Sequence, residues 1–134
     1  MHAHPPTAVA LITAGLTIPP MTPEHAALVS DLKVVDFALP GEESAGVIGR
    51  VVKQSDLIGI RNHGFFSLVR DLHSATSMLE VIEESAKIHL IASQFGKRGG
   101  LDDEQVRRIR ETYGRIQKEK GGTLGIPGVP ELHR

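Results

Sequence analysis

Seven histidines, in a chain of 134 residues that has no cysteine, carry most of the candidate chemistry. His2 and His4 are separated by a single residue. On an extended strand that spacing turns both imidazoles to one face, with Cβ atoms about 7 Å apart and within reach of one shared ion. His63 stands in a turn, Asn62-His63-Gly64, between two apolar runs. Gly64 is expected to give the backbone a conformation that lets a side chain leave the end of a sheet. Three neutral imidazoles with a fourth position left open make a catalytic rather than a structural site in the zinc pattern. Such an ion acts as a Lewis acid on a carbonyl or an enediolate. An H-x-H pair near a chain start also reads as an exposed tip, and spacing alone leaves both readings open.

The remaining candidates have blander readings. His25, His73, His89 and His133 lack a partner at ligand spacing, and His89 reads as a partly buried helix residue. Glu80, Glu83 and Glu84 read as a solvated helix face, with Glu83 and Lys87 paired at i,i+4. Lys97-Arg98 and Arg107, Arg108 and Arg110 are interleaved with acids, which suits a solvated face better than a phosphate grip. Tyr113, the only tyrosine, reads as a packing residue in preference to a general acid. No P-loop, G-x-G-x-x-G or G-x-S-x-G motif is present.

The elements that must position these residues follow from periodicity and punctuation. Thr7 to Ala14 is an apolar run with Pro6 before it and Gly15 after it, which favours a short helix. Thr22-Pro23-Glu24 opens another. Lys33 to Phe37 reads as a strand, 42–54 as a helix interrupted by Gly46 and Gly49, Asp56 to Ile60 as a buried strand, and Phe65 to Val69 as a third. A hairpin across Asn62-His63-Gly64 joins the last two. From Leu72 to Phe95, apolar residues at Leu72, Ala75, Leu79, Ile82, Ala86 and Leu90 form one helical stripe, ended by Gly96. A charged helix then runs from Leu101 to about Lys118. Residues 1–118 therefore read as one domain, and 119–134 as a Gly/Pro-rich tail. Strands alternating with helices place the chain in the α/β class with a small mixed sheet.

Composition narrows the function. Formal charge is −1, so no global basic field draws in nucleic acid or anionic lipid. Aromatic residues are 4%, against stacking-based binding of single strands. No apolar run approaches the ~20 residues of a membrane span, and no leader pattern opens the chain, so a cytoplasmic protein is expected.

The order of motifs adds a resemblance. His2-Ala3-His4-Pro5-Pro6-Thr7-Ala8 is followed by a Pro-rich stretch ending Thr22-Pro23-Glu24. Val35-Asp36-Phe37-Ala38-Leu39-Pro40-Gly41 comes next, then Arg61-Asn62-His63-Gly64, then Leu79-Glu80-Val81-Ile82-Glu83 with Ala86-Lys87-Ile88. Over about residues 2–96 this resembles the class II aldolase/adducin head family, which includes fuculose-phosphate aldolase and ribulose-phosphate 4-epimerase. The resemblance implies a three-layer α/β/α domain. It implies one divalent ion held by His2, His4 and His63, zinc first, with iron, manganese or cobalt as alternatives. It implies an aldolase-type lyase acting on a sugar phosphate or related hydroxy-carbonyl compound through a metal-stabilised enediolate, in a homo-oligomer, commonly a tetramer. Other branches imply a non-catalytic adducin-like module, or a decarboxylase or oxygenase. The family's phosphate loops and its acidic acid/base precede H-x-H. The N-terminal part of the fold is therefore expected to lie outside this chain, supplied by a partner chain or lost. A frayed His2 and an unpaired sheet edge are expected to follow.

Overall fold

Proline and glycine punctuation sets most of the element boundaries. The computed structural model describes residues 1–29, 32–96 and 99–119. Chain order is β1 (His2–Ala3), α1 (Pro6–Thr13), α2 (Pro23–Leu28), β2 (Lys33–Val35), α3 (Glu42–Val51), β3 (Leu57–Ile60), β4 (Gly64–Ser67), α4 (Leu72–Gln94) and α5 (Asp103–Glu119). Pro6 opens α1, where its missing N–H is no loss. Gly15, at φ 77°, closes it: Gly15 N donates to Ile12 O and Leu16 N to Leu11 O, a Schellman ending. Thr22 caps α2 and Asp71 caps α4 through side-chain oxygens. Gly96, at φ 79°, ends α4 as expected.

The four strands form one mixed sheet in the order β1-β4-β3-β2. The β2–α3–β3 unit is a parallel crossover, and β3 and β4 form the expected hairpin with Ile60 opposite Gly64. α1 and α4 pack on each other and on the sheet, around a core of Leu11, Ile12, Leu57, Phe65, Met78 and Ile82. All four residues of β3 are buried. Both faces of the sheet are therefore covered at its middle, as α/β/α layering requires. No helix among the described residues is long and apolar enough to cross a membrane.

Several expectations are corrected. The strand expected over Lys33 to Phe37 is β2 and stops at Val35, and Phe37 and Leu39 beyond it are more than half exposed. The stripe on α4 holds at Ala75, Leu79, Ile82 and Ala86, but Leu72 and Leu90 are exposed. The buried face of α4 instead takes in Ser74, Met78, Ser85 and His89. His2 is not frayed: Met1 and Ser67 exchange two hydrogen bonds, amine to carbonyl at 2.6 Å and amide to carbonyl at 2.8 Å. Lys97, Arg98, His133 and the tail beyond Glu119 lie outside the described residues.

Candidate metal centre

Strand pairing brings the three histidines together. β1 runs antiparallel to β4 with His2 opposite Phe66 and Ala3 opposite Phe65. Continuing that register sets His4 against Gly64, beside His63. One nitrogen from each of His2, His4 and His63 lies within 4.8 Å of the other two. Ring centroids are 4.6 Å apart for His2 and His4, 4.9 Å for His2 and His63, and 5.9 Å for His4 and His63.

Gly64 makes this convergence possible, for a different reason from the one expected. The residue with positive φ in the turn is Asn62, at 56°. Gly64 matters because of what it lacks. A Cβ there would stand 2.6 Å from Ala3 O, 2.6 Å from His4 Cδ2 and 2.9 Å from His2 Nε2. The space that a side chain would fill is taken by the imidazoles.

Two further residues shape the cluster. The His2 ring stacks on Phe66, and the His63 ring meets Phe66 edge-on at 5.9 Å. α1 ties the two motifs to each other. Its C-terminal end receives the Arg61 guanidinium on Ile12 O at 3.0 Å, and Asn62 N donates to Thr13 Oγ1 at 2.9 Å. Its N-terminal end is held by Glu83 of α4, which accepts from Thr7 N, Thr7 Oγ1 and Ala8 N at 2.8–3.2 Å. Glu83 therefore departs from the solvated-face reading, with its side chain only 13% exposed. Burial works against its ionisation, but the N–H and O–H bonds from Ala8 and Thr7 outweigh it and hold the carboxyl below the ordinary range.

The site suits a cation bound by neutral nitrogens. His2 and His4 are exposed and His63 half-buried, so the cluster opens outward. Burial first, then the positive charges that His4, His63 and the terminal amine would carry, lower the pKa of His2. The neutral, ligating form is thereby favoured. The donor set itself, three imidazole nitrogens within 4.8 Å of one another, is one that a divalent ion with an open position takes. Tetrahedral zinc with bonds of about 2.1 Å places its ligand nitrogens about 3.4 Å apart. Small side-chain rotations reach that from the observed spacing, so the residues present fit an ion.

The other candidates stand apart. His25 and His89 are buried in the helical layer, each with an unpartnered Nδ1. Arg107 pairs with Glu104 and Glu111 on a solvated face, as expected. Arg110 instead reaches across to Ala26 O at 2.9 Å and ties α5 to α2. Tyr113 is half-buried. Burial, then the Glu24 charge, raises its pKa.

The model of the class II aldolase and adducin N-terminal domain matches residues 1–90. The chain belongs to this family. Among solved structures, an L-fuculose 1-phosphate aldolase superposes with a TM-score of 0.73 at 24% identity, over 84% of this chain and 54% of that one. L-fuculose-1-phosphate aldolase from Thermus thermophilus superposes at 0.63 with 26% identity, over 75% and 56%. YgbL of Klebsiella pneumoniae, described as a candidate aldolase/epimerase/decarboxylase, does so at 0.65 with 26% identity, over 81% and 55%. No curated protein matches the chain. This class II aldolase family member spans about half the length of the solved structures it resembles, and carries a corresponding part of their α/β fold.

Proposed function

We propose that this chain is the metal-binding part of a metal-dependent aldolase-type lyase acting on a sugar phosphate or a related hydroxy-carbonyl compound. The observation that carries the reading is the convergence of His2, His4 and His63 to within 4.8 Å, in a chain of the class II aldolase family. A bound divalent ion, zinc by preference for three imidazoles, supplies Lewis-acid stabilisation of the negative charge that develops on the substrate's oxygens. His2, His4 and His63 hold it, Phe66 backs the rings, and α1 fixes the two motifs in register. Support for the substrate class comes from neighbours named as L-fuculose 1-phosphate aldolases. A homo-oligomer in the cytoplasm belongs to the same proposal. Leu90, Ile91 and Phe95, exposed at the end of α4, offer apolar surface for such an assembly.

A second reading is a non-catalytic adducin-like binding module, because the family model that matches residues 1–90 covers class II aldolases and adducins alike. A retro-aldol assay of the zinc-loaded chain with a panel of ketose 1-phosphates separates the two. Aldehyde release with dihydroxyacetone phosphate supports the lyase. Turnover by this chain would rule out the module.

A further inference from the structure

We infer that Glu83 is a positioning residue for the metal centre, acting through α1 rather than by touching the ion. The inference deepens the proposed function and rests on it.

α1 has no side-chain cap of its own, because Pro5 precedes it and carries no polar side-chain atom. Its first free amides are satisfied from elsewhere: Thr7 N reaches Glu83 Oε2 at 2.9 Å and Ala8 N reaches the same oxygen at 3.0 Å. Thr7 Oγ1 adds a bond to Oε1 at 2.8 Å. A carboxylate at a helix N-terminus meets both the orphan donors and the positive end of the macrodipole. Lys87 approaches the same carboxylate at 3.3 Å.

The placement makes this more than a helix cap. Thr7 lies three residues after His4, and the intervening Pro5-Pro6 is stiff. Whatever fixes Thr7 therefore fixes His4. At its other end α1 takes bonds from Arg61 and Asn62, the two residues before His63. α1 is thus a strut pinned at both ends, with H-x-H attached at one and the N-H-G turn at the other. Glu83 is the pin at the H-x-H end. A loosened pin leaves all three imidazoles present but no longer held at one separation, and a metal centre is sensitive to that.

The test compares zinc affinity, by competition with a chromophoric chelator, and the visible spectrum of the cobalt-substituted full chain. The variants are Glu83→Gln, Glu83→Ala and, as a structural control, Thr22→Ala, which removes the Thr22 Oγ1 cap on His25 N of α2, a bond that involves none of His2, His4 and His63. Glu83→Ala is expected to weaken zinc about tenfold or more and to change the cobalt spectrum. Glu83→Gln, nearly isosteric but with one acceptor oxygen, is expected to fall between it and the native chain. Thr22→Ala is expected to lower the unfolding midpoint with affinity and spectrum unchanged. Native affinity and spectrum in both Glu83 variants would overturn the inference, as would a loss in Thr22→Ala matching theirs at equal loss of stability. Failure of the native chain to bind zinc would instead overturn the metal-centre reading, and this inference with it.

Discussion

The imidazole of His2 lies flat on the ring of Phe66, with centroids 4.2 Å apart and planes 7° from parallel. The two residues face each other across β1 and β4, so the stack follows directly from strand register. It limits His2 to rotations that keep one face against carbon and one edge toward His4 and His63.

Phe66→Leu keeps an apolar residue but removes the flat partner. An aromatic pair is worth about 0.5–1.5 kcal/mol beyond its buried area. Zinc affinity should fall roughly two- to tenfold with little change in fold, read by zinc titration and circular dichroism. Unchanged affinity would show that the stack does not order His2.

Gly64→Ala should be far more damaging than its size suggests. The added methyl meets Ala3 O, a backbone atom, and two imidazoles. Overpacking of this kind costs about 1–3 kcal/mol, and the histidines must also move apart. The expected outcome is loss of stoichiometric zinc together with a lower unfolding midpoint. A Gly64→Ala chain that binds zinc normally would show that the strands open at no cost to the site.

His25 should make the fold sensitive to acid. Burial, then the Arg110 charge, pushes its pKa down from 6.5 to about 4. The folded chain therefore refuses a proton that the unfolded chain accepts below pH 6.5. Stability from this group is intact above that pH and is lost as pH falls toward 4. Between about pH 7 and about pH 4.5 the loss comes to roughly 2–3 kcal/mol. Urea unfolding of the metal-free chain, compared with His25→Leu, isolates this contribution: the variant should show the shallower decline. Parallel pH profiles would mean that His25 takes up its proton in the folded state.

Much of this was legible in the sequence because it is local. Prolines and glycines at 6, 15, 23 and 96 mark helix ends by conformational rules that need no partner. The H-x-H and N-H-G motifs are short enough to read directly. What stayed hidden depends on pairing at long range. Glu83 looked like a surface acid beside Lys87, because its real partners, Thr7 and Ala8, lie 76 and 75 residues away. Phe66 gained its place only once the register set it opposite His2. The role of Gly64 was visible, but its cause was not. Close approach of two other side chains cannot be told from backbone freedom until the strands are paired.

Zinc stoichiometry in the native chain and in His63→Ala, measured by titration calorimetry near neutral pH after chelator treatment, bears most directly on the centre. One zinc per native chain and none in His63→Ala is the expected result. One zinc per chain in both proteins, or none in the native chain, would contradict it.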